Sequence, residues 1–181
     1  MIRALCLILL SMPVSAAADD WDALKRPEAV ALMRHALAPG TGDPSSFELS
    51  DCTTQRNLDA RGRDQARETG AQLRRNDVQF DAVWTSQWCR SRDTADLMEM
   101  GAVEEVPALN SFFADRRRSD RQTAATLERI ERAQGQRILM VTHQVNITAL
   151  TGVVPQSGEI IVAQMRDDGE LEVTGRVLIA P

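Results

Sequence analysis

Alternating strand and helix signals predict an α/β fold for this 181-residue chain. The expected form is a three-layer sandwich: a mostly parallel central sheet, helices on both faces and an antiparallel edge hairpin. Three observations carry that expectation. The apolar runs ending in Arg34-His35 and Thr142-His143 read as strands buried on both faces. Stretches with helical period separate the strand signals. Two runs rich in β-branched residues flank Asp167-Asp168-Gly169, a hairpin signature. Strands alternating with helices imply parallel pairing and covered sheet faces.

The chain opens on a segment unlike the rest. Met1-Ile2-Arg3 is a positive start, Leu5 to Leu10 an apolar stretch, and Val14-Ser15-Ala16-Ala17-Ala18 supplies small residues suited to a signal peptidase. Residues 1–18 are therefore expected to be a secretory signal peptide, cleaved after Ala16 or Ala18. The stretch is too short for a transmembrane helix. Residues 19–181 are expected to form a single domain, large enough for a substantial core.

After the first strand, residues 37–54 form a long polar loop with turn signals at Pro39-Gly40 and Gly42-Asp43-Pro44. Loops of that length in compact domains are usually functional or disordered. Residues 57–76 read as a helix with Leu58, Ala66, Thr69, Gly70 and Leu73 on its inner stripe. Residues 80–84 read as the second strand, 88–100 as a helix and 103–106 as a short strand. An irregular stretch follows to Asp120, then a helix over 123–134 stopped by Gly135. Ile138–Thr142 is the most apolar strand and so belongs near the sheet centre. Residues 146–150 begin a further helix, and 159–165 with 170–179 make the hairpin.

Composition narrows the function. The chain carries 21 basic and 26 acidic residues, a net charge of −5. That balance argues against non-specific nucleic-acid binding. No stable membrane insertion of the mature chain is expected, since no later segment approaches 18 uninterrupted apolar residues. Cys52 and Cys89 remain once residues 1–18 are removed. In an exported protein an even pair reads first as a disulfide, which by loop entropy contributes roughly 3–4 kcal/mol. The alternative is two unpaired buried thiols.

The chemistry concentrates at strand ends. His35 and His143 are the only histidines, and each closes an apolar strand, where open α/β sheets bind ligands. Arg34 stands beside the first, and Arg90 falls in the first turn of the helix that follows the second strand. A nucleophilic imidazole, a partner histidine and guanidinium groups for anionic oxygens suit phosphoryl transfer. Two histidines lack the additional spaced ligands of a zinc site, so neither metal nor cofactor is expected.

Four fragments in order resemble the histidine phosphatase superfamily, the phosphoglycerate-mutase-like fold. Arg34-His35 resembles its Arg-His-Gly motif, with Ala36 for the glycine. Asn57-Leu58 through Gly62 and Gln65-Ala66 resembles its Leu-Thr-x-x-Gly-x-x-Gln-Ala segment. Ser86, Arg90, Thr94 and Ala95 match Ser-x-x-x-Arg-x-x-x-Thr-Ala, and Thr142-His143 resembles Ser-His-Gly, with Gln144 for the glycine. The resemblance implies that His35 attacks phosphorus and becomes phosphohistidine, while Arg34, Arg90 and His143 hold the phosphoryl oxygens. His143 serves that role best as an imidazolium. Arg56 and Gln55 are candidates to meet the phosphate or the substrate, or to contact the helix N-terminus.

The acid that protonates the leaving oxygen has no clear match. Asp115 and Glu159 are the two candidates. The expected activity is that of an exported phosphomonoesterase in the periplasm or outside the cell. Its substrate would be a phosphorylated small molecule, a glycan or a lipid headgroup. The alternative is a non-catalytic binder of phosphoglycans or phospholipid headgroups on the same fold.

Overall fold

A computed structural model describes residues 20–181; the signal-peptide expectation for residues 1–18 lies outside them. The elements run α1 (Trp21–Leu24), β1 (Val30–Arg34), α2 (Ala60–Arg75), β2 (Ala82–Thr85), α3 (Cys89–Met98) and β3 (Val103–Glu105). They continue with α4 (Ser119–Arg132), β4 (Ile138–Thr142), α5 (Gln144–Thr151), β5 (Ile160–Met165) and β6 (Leu171–Val177). Short 3₁₀ turns cover Cys52–Thr54, Pro107–Leu109 and Arg116–Arg118. The strands form one sheet in the order β3-β2-β4-β1-β5-β6. The first four are mutually parallel, β5 runs antiparallel to β1, and β6 completes the antiparallel edge. The expected architecture is present.

Strand alternation explains the three layers. In β1, Ala31 and Met33 face one core while Val30 and Leu32 face the other; in β4, Leu139 and Val141 oppose Ile138 and Met140. The first core is closed by α1, α2 and α3 through Leu24, Leu73, Ala95 and Met98. The second is closed by α4 and α5 through Ile130, Ile147 and Leu150. A strand with both faces covered must be apolar throughout, which is why β1 and β4 read as continuous runs.

Local chemistry sets the boundaries. α2 begins at Ala60, not Asn57, because the Asp59 side chain accepts the Gly62 N–H at 2.8 Å and caps the helix there. Gly62 and Gly70 let α2 approach its neighbours: a Cβ at Gly62 would lie 1.9 Å from the Leu37 carbonyl oxygen, and one at Gly70 2.0 Å from that of Met98. α4 starts at Ser119, ahead of the expected Thr123, because the 3₁₀ turn at Arg116–Arg118 feeds into it. Among the described residues no helix is long and apolar enough to cross a membrane. Cys52 and Cys89 are joined in a disulfide, with Cα atoms 5.7 Å apart. The bridge fastens the 37–54 loop to the first residue of α3.

Candidate active site

Register brings the histidines together. Arg34 of β1 pairs with Thr142 of β4, so His35 and His143 leave the sheet side by side at the C-terminal ends of adjacent parallel strands. The His35 N–H still donates to the Thr142 carbonyl (2.9 Å), and Ser86, one residue beyond β2, donates to that of Val141 (3.0 Å). The two imidazoles meet edge to face with centroids 5.5 Å apart. Both are buried, under a cleft of about 160 Å³ lined by Arg34, His35, Asp43, Arg56, Arg90 and His143, with Ser111, Phe113 and Arg116 among the other wall residues.

The His35 ring is fixed from behind. Its Nδ1 lies 2.8 Å from the Ala36 carbonyl oxygen, an acceptor only, so Nδ1 carries the proton and Nε2 presents its lone pair. The Ala36 N–H donates in turn to Thr94 Oγ1 (3.1 Å), whose hydroxyl donates to the Arg90 carbonyl (2.7 Å). One residue on, Leu37 N–H donates to Gln65 Oε1 (2.9 Å), and Gln65 Nε2 reaches the carbonyls of Ser157 and Ile179. The Thr and Gln of the motif fragments thus brace the turn that carries the nucleophile candidate.

Arg90 Nε donates to His35 Nε2 at 3.2 Å, as that tautomer requires. Burial, then the positive charge of Arg90, drives the His35 pKa well below the usual imidazole value. His143 is pushed the same way, by burial first and then by His35 and Arg90. The imidazolium expected at His143 is therefore not favoured by these surroundings: the ring is buried and its charged neighbours are positive. His143 Nε2 lies 2.8 Å from Ser86 Oγ, and Trp88 stands edge-on to its ring at 5.4 Å. α5 starts directly after His143, and its first residues, Gln144 and Val145, line the cleft. A helix N-terminus offers N–H donors to an oxyanion.

Arg34 donates through Nη1 to the Pro155 carbonyl (3.0 Å), while its buried Nε has no hydrogen-bond partner among the described residues. Its pKa is lowered by burial and by Arg90. Arg56 also lines the cleft. It donates through Nε to Gly42 O at 2.8 Å and through Nη1 to Ala38 O, so it clamps the long loop. Burial, then the charge of Arg90, brings its pKa down to about 10. Gln55 does not line the cleft. Its Oε1 accepts the Cys89 N–H at the start of α3 (3.0 Å) and its Nε2 holds the carbonyls of Glu48 and Leu49.

Neither carboxylate offered as the acid lines the cleft. Asp115 is bound to Arg117 at the surface (2.8 Å), which holds its pKa low. Glu159 is buried just ahead of β5, accepting from the Gln156 N–H (2.7 Å) and Arg176 Nε (2.8 Å). Its carboxylate is taken up by the turn before β5 and by Arg176 of β6, away from the cleft. The acid that does line the cleft is Asp43, which sequence reasoning missed. Asp43 Oδ1 and Oδ2 take Arg90 Nη1 at 2.6 Å and Nη2 at 3.1 Å, with Trp88 Nε1 at 3.0 Å and the Arg56 N–H at 3.2 Å. The signal available was one acid inside a Gly- and Pro-marked loop, with no period to place it.

The geometry has relatives. The family model described as histidine phosphatase superfamily (branch 1) matches residues 30–112, a span that includes His35, Arg90 and Asp43. No curated protein matches the chain in sequence. Among solved structures it is similar to the protein histidine phosphatase SixA complexed with tungstate, at 17% identity and TM-score 0.56 over 82% of this chain and 96% of that one. It is also similar to a phosphoserine phosphatase of Entamoeba histolytica in complex with 3-phosphoglyceric acid, at 15% identity and TM-score 0.61 over 83% and 97%. The alpha-ribazole phosphatase of Shigella flexneri follows at 19% and 0.60 over 81% and 95%. At such identities the likeness is one of fold. The family match over β1 to the 3₁₀ turn after β3, and two histidines level at the ends of β1 and β4, support the histidine phosphatase superfamily for this chain.

Proposed function

We propose that this phosphatase is an exported phosphomonoesterase working through a phosphohistidine on His35. The observation that supports it is the fixed tautomer of His35: Nδ1–H is held by Ala36 O, and the Nε2 lone pair faces Arg90 in the cleft. Nε2 attacks phosphorus, and the bond from phosphorus to the ester oxygen breaks. That oxygen leaves with a proton from His143 or from water. Water then attacks the phosphohistidine, releasing phosphate and restoring the imidazole. Charge on the three equatorial oxygens is met by Arg34, Arg90, His143 and the α5 N-terminus, donors fixed before the substrate arrives. A dianion amid these groups raises the proton affinity of His143, which makes it the imidazolium that the reaction wants.

A protein histidine phosphatase, a phosphoserine phosphatase and an alpha-ribazole phosphatase share the fold, which supports a phosphorylated small molecule as substrate; a phosphorylated glycan or lipid headgroup is the wider proposal. The pair Cys52–Cys89 and the segment 1–18 support export to an oxidising compartment. Brief reaction with radiolabelled phosphomonoester followed by alkaline quenching, which preserves phosphohistidine, tests the mechanism. Label on His35 is the expected result; phosphate binding with neither label nor turnover identifies a binding protein instead.

A further inference from the structure

Among the described residues Asp43 is the one acidic side chain lining the cleft, and its bonds show what it does. A carboxylate has about four acceptor sites. Oδ1 takes Arg90 Nη1 and the Arg56 N–H; Oδ2 takes Arg90 Nη2 and Trp88 Nε1. All four are filled, and the side chain is 16% exposed. Burial works to raise the Asp43 pKa, but the hydrogen bonds and charge of Arg90, with Trp88 and Arg56, outweigh it and hold it below the usual range. A carboxylate so bound keeps no proton to give.

The guanidinium has five N–H groups. Asp43 takes one from each Nη, and the Arg56 carbonyl takes the second from Nη1 at 3.1 Å. What remains is the side edge: Nε–H, which points at His35 Nε2, and one Nη2–H beside it without a partner among the described residues. That pair is the parallel fork that matches two oxygens of a tetrahedral anion. It faces the atom on which phosphorus would be transferred.

We infer that Asp43 is a positioning residue: it grips the end of the Arg90 guanidinium and so aims the side edge, Nε–H and the second Nη2–H, at the phosphoryl group on His35. The inference rests on the phosphohistidine reading of His35. The loop is built for such a grip. Arg56 clamps its carbonyls, Gln55 ties it to the Cys89 N–H, and the disulfide fastens it to the helix that carries Arg90. Asp43 also has a cost, since its charge opposes that of the incoming anion. Its removal therefore separates aim from attraction.

The test is kinetic analysis of Asp43→Asn with an aryl and an alkyl phosphate, and inhibition by tungstate. The amide presents donors where Arg90 Nη2 or Trp88 Nε1 needs an acceptor, so Arg90 swings. We expect kcat to fall about 10–10²-fold on both esters, the scale of a misplaced positioning group, with tungstate inhibition unchanged or tighter. Trp88→Phe, which removes a single donor to Asp43, should lower kcat about threefold to tenfold with tungstate inhibition retained. It decides the matter if Asp43→Asn does not fold. A kcat within twofold of wild type overturns the inference. So does a loss confined to the alkyl ester, which would make Asp43 the proton donor, or a loss of tungstate binding equal to the loss of kcat, which would make it merely structural. Labelling of His35 in the wild-type protein is read separately, so failure of the mechanism and failure of the Asp43 role are distinguishable.

Discussion

His35 and Thr94 are linked through a single backbone unit: His35 Nδ1 bonds the Ala36 carbonyl, and the Ala36 N–H bonds Thr94 Oγ1. The nucleophile candidate on β1 is thereby tied to α3, the helix that carries Arg90. Replacing His35 with Ala should lower kcat by at least about 10³-fold, because no other nucleophile stands at its position. Circular dichroism should show the fold retained. Turnover near the wild-type rate would exclude covalent catalysis at this residue.

Arg90→Ala and His143→Ala should each reduce kcat/KM by roughly 10²–10³, the scale for losing one preset donor to developing charge. Steady-state kinetics on a fast aryl phosphate measures it. Wild-type values in both would place the phosphoryl group elsewhere.

Proton linkage has a defined sign here. The folded-state pKa values of His35 and His143 lie well below 6.5. Below about 6.5 the unfolded chain therefore binds protons that the folded chain refuses. Stability should fall as pH drops through that range, by up to about 1.4 kcal/mol per pH unit for each imidazole. Urea denaturation across pH 7 to 5 reads the slope, and His143→Asn should flatten it. Oxyanion binding runs the other way: the anion raises the His143 pKa, so phosphate binding takes up a proton and weakens as pH rises. Calorimetry in buffers of different ionisation enthalpy detects that uptake.

Gly62→Ala should destabilise the fold by about 1–3 kcal/mol and lower activity with it. The new Cβ meets the Leu37 carbonyl, next to the turn that holds His35. Thermal unfolding and kcat measured together check this, and an unperturbed variant would mean that α2 shifts freely.

Reducing the Cys52–Cys89 bridge should cost roughly 3–4 kcal/mol of stability and loosen the loop that carries Asp43. Non-reducing peptide mapping should recover the linked peptides. Equal denaturation midpoints with and without reductant would remove the bridge from the energetics.

The sheet was readable because both faces of β1 and β4 are covered, leaving uninterrupted apolar runs. Histidine placement followed from those runs ending. Boundaries were less legible where one side chain decides them, as Asp59 does for α2. The four-residue α1 carries too little period to detect. Asp43 shows the limit: its partners Arg90 and Trp88 lie more than 40 residues away, and nothing local announces a contact made by tertiary structure. Asp115 and Glu159 were candidates because acids near motif ends resemble one another in sequence, whereas Arg117 and Arg176 decide where they point.

The strand order has a consequence for biosynthesis. β1 pairs only with β4 and β5 among the described strands, so the strand that leads to His35 finds no neighbour until more than 100 further residues have been made. His143 arrives with β4 itself. A ribosome-bound chain halted before Ile138 should lack phosphatase activity even though it already holds His35, Asp43, Arg56 and Arg90. The chain thus stays chemically silent through most of its synthesis and becomes competent only as its last quarter joins the sheet.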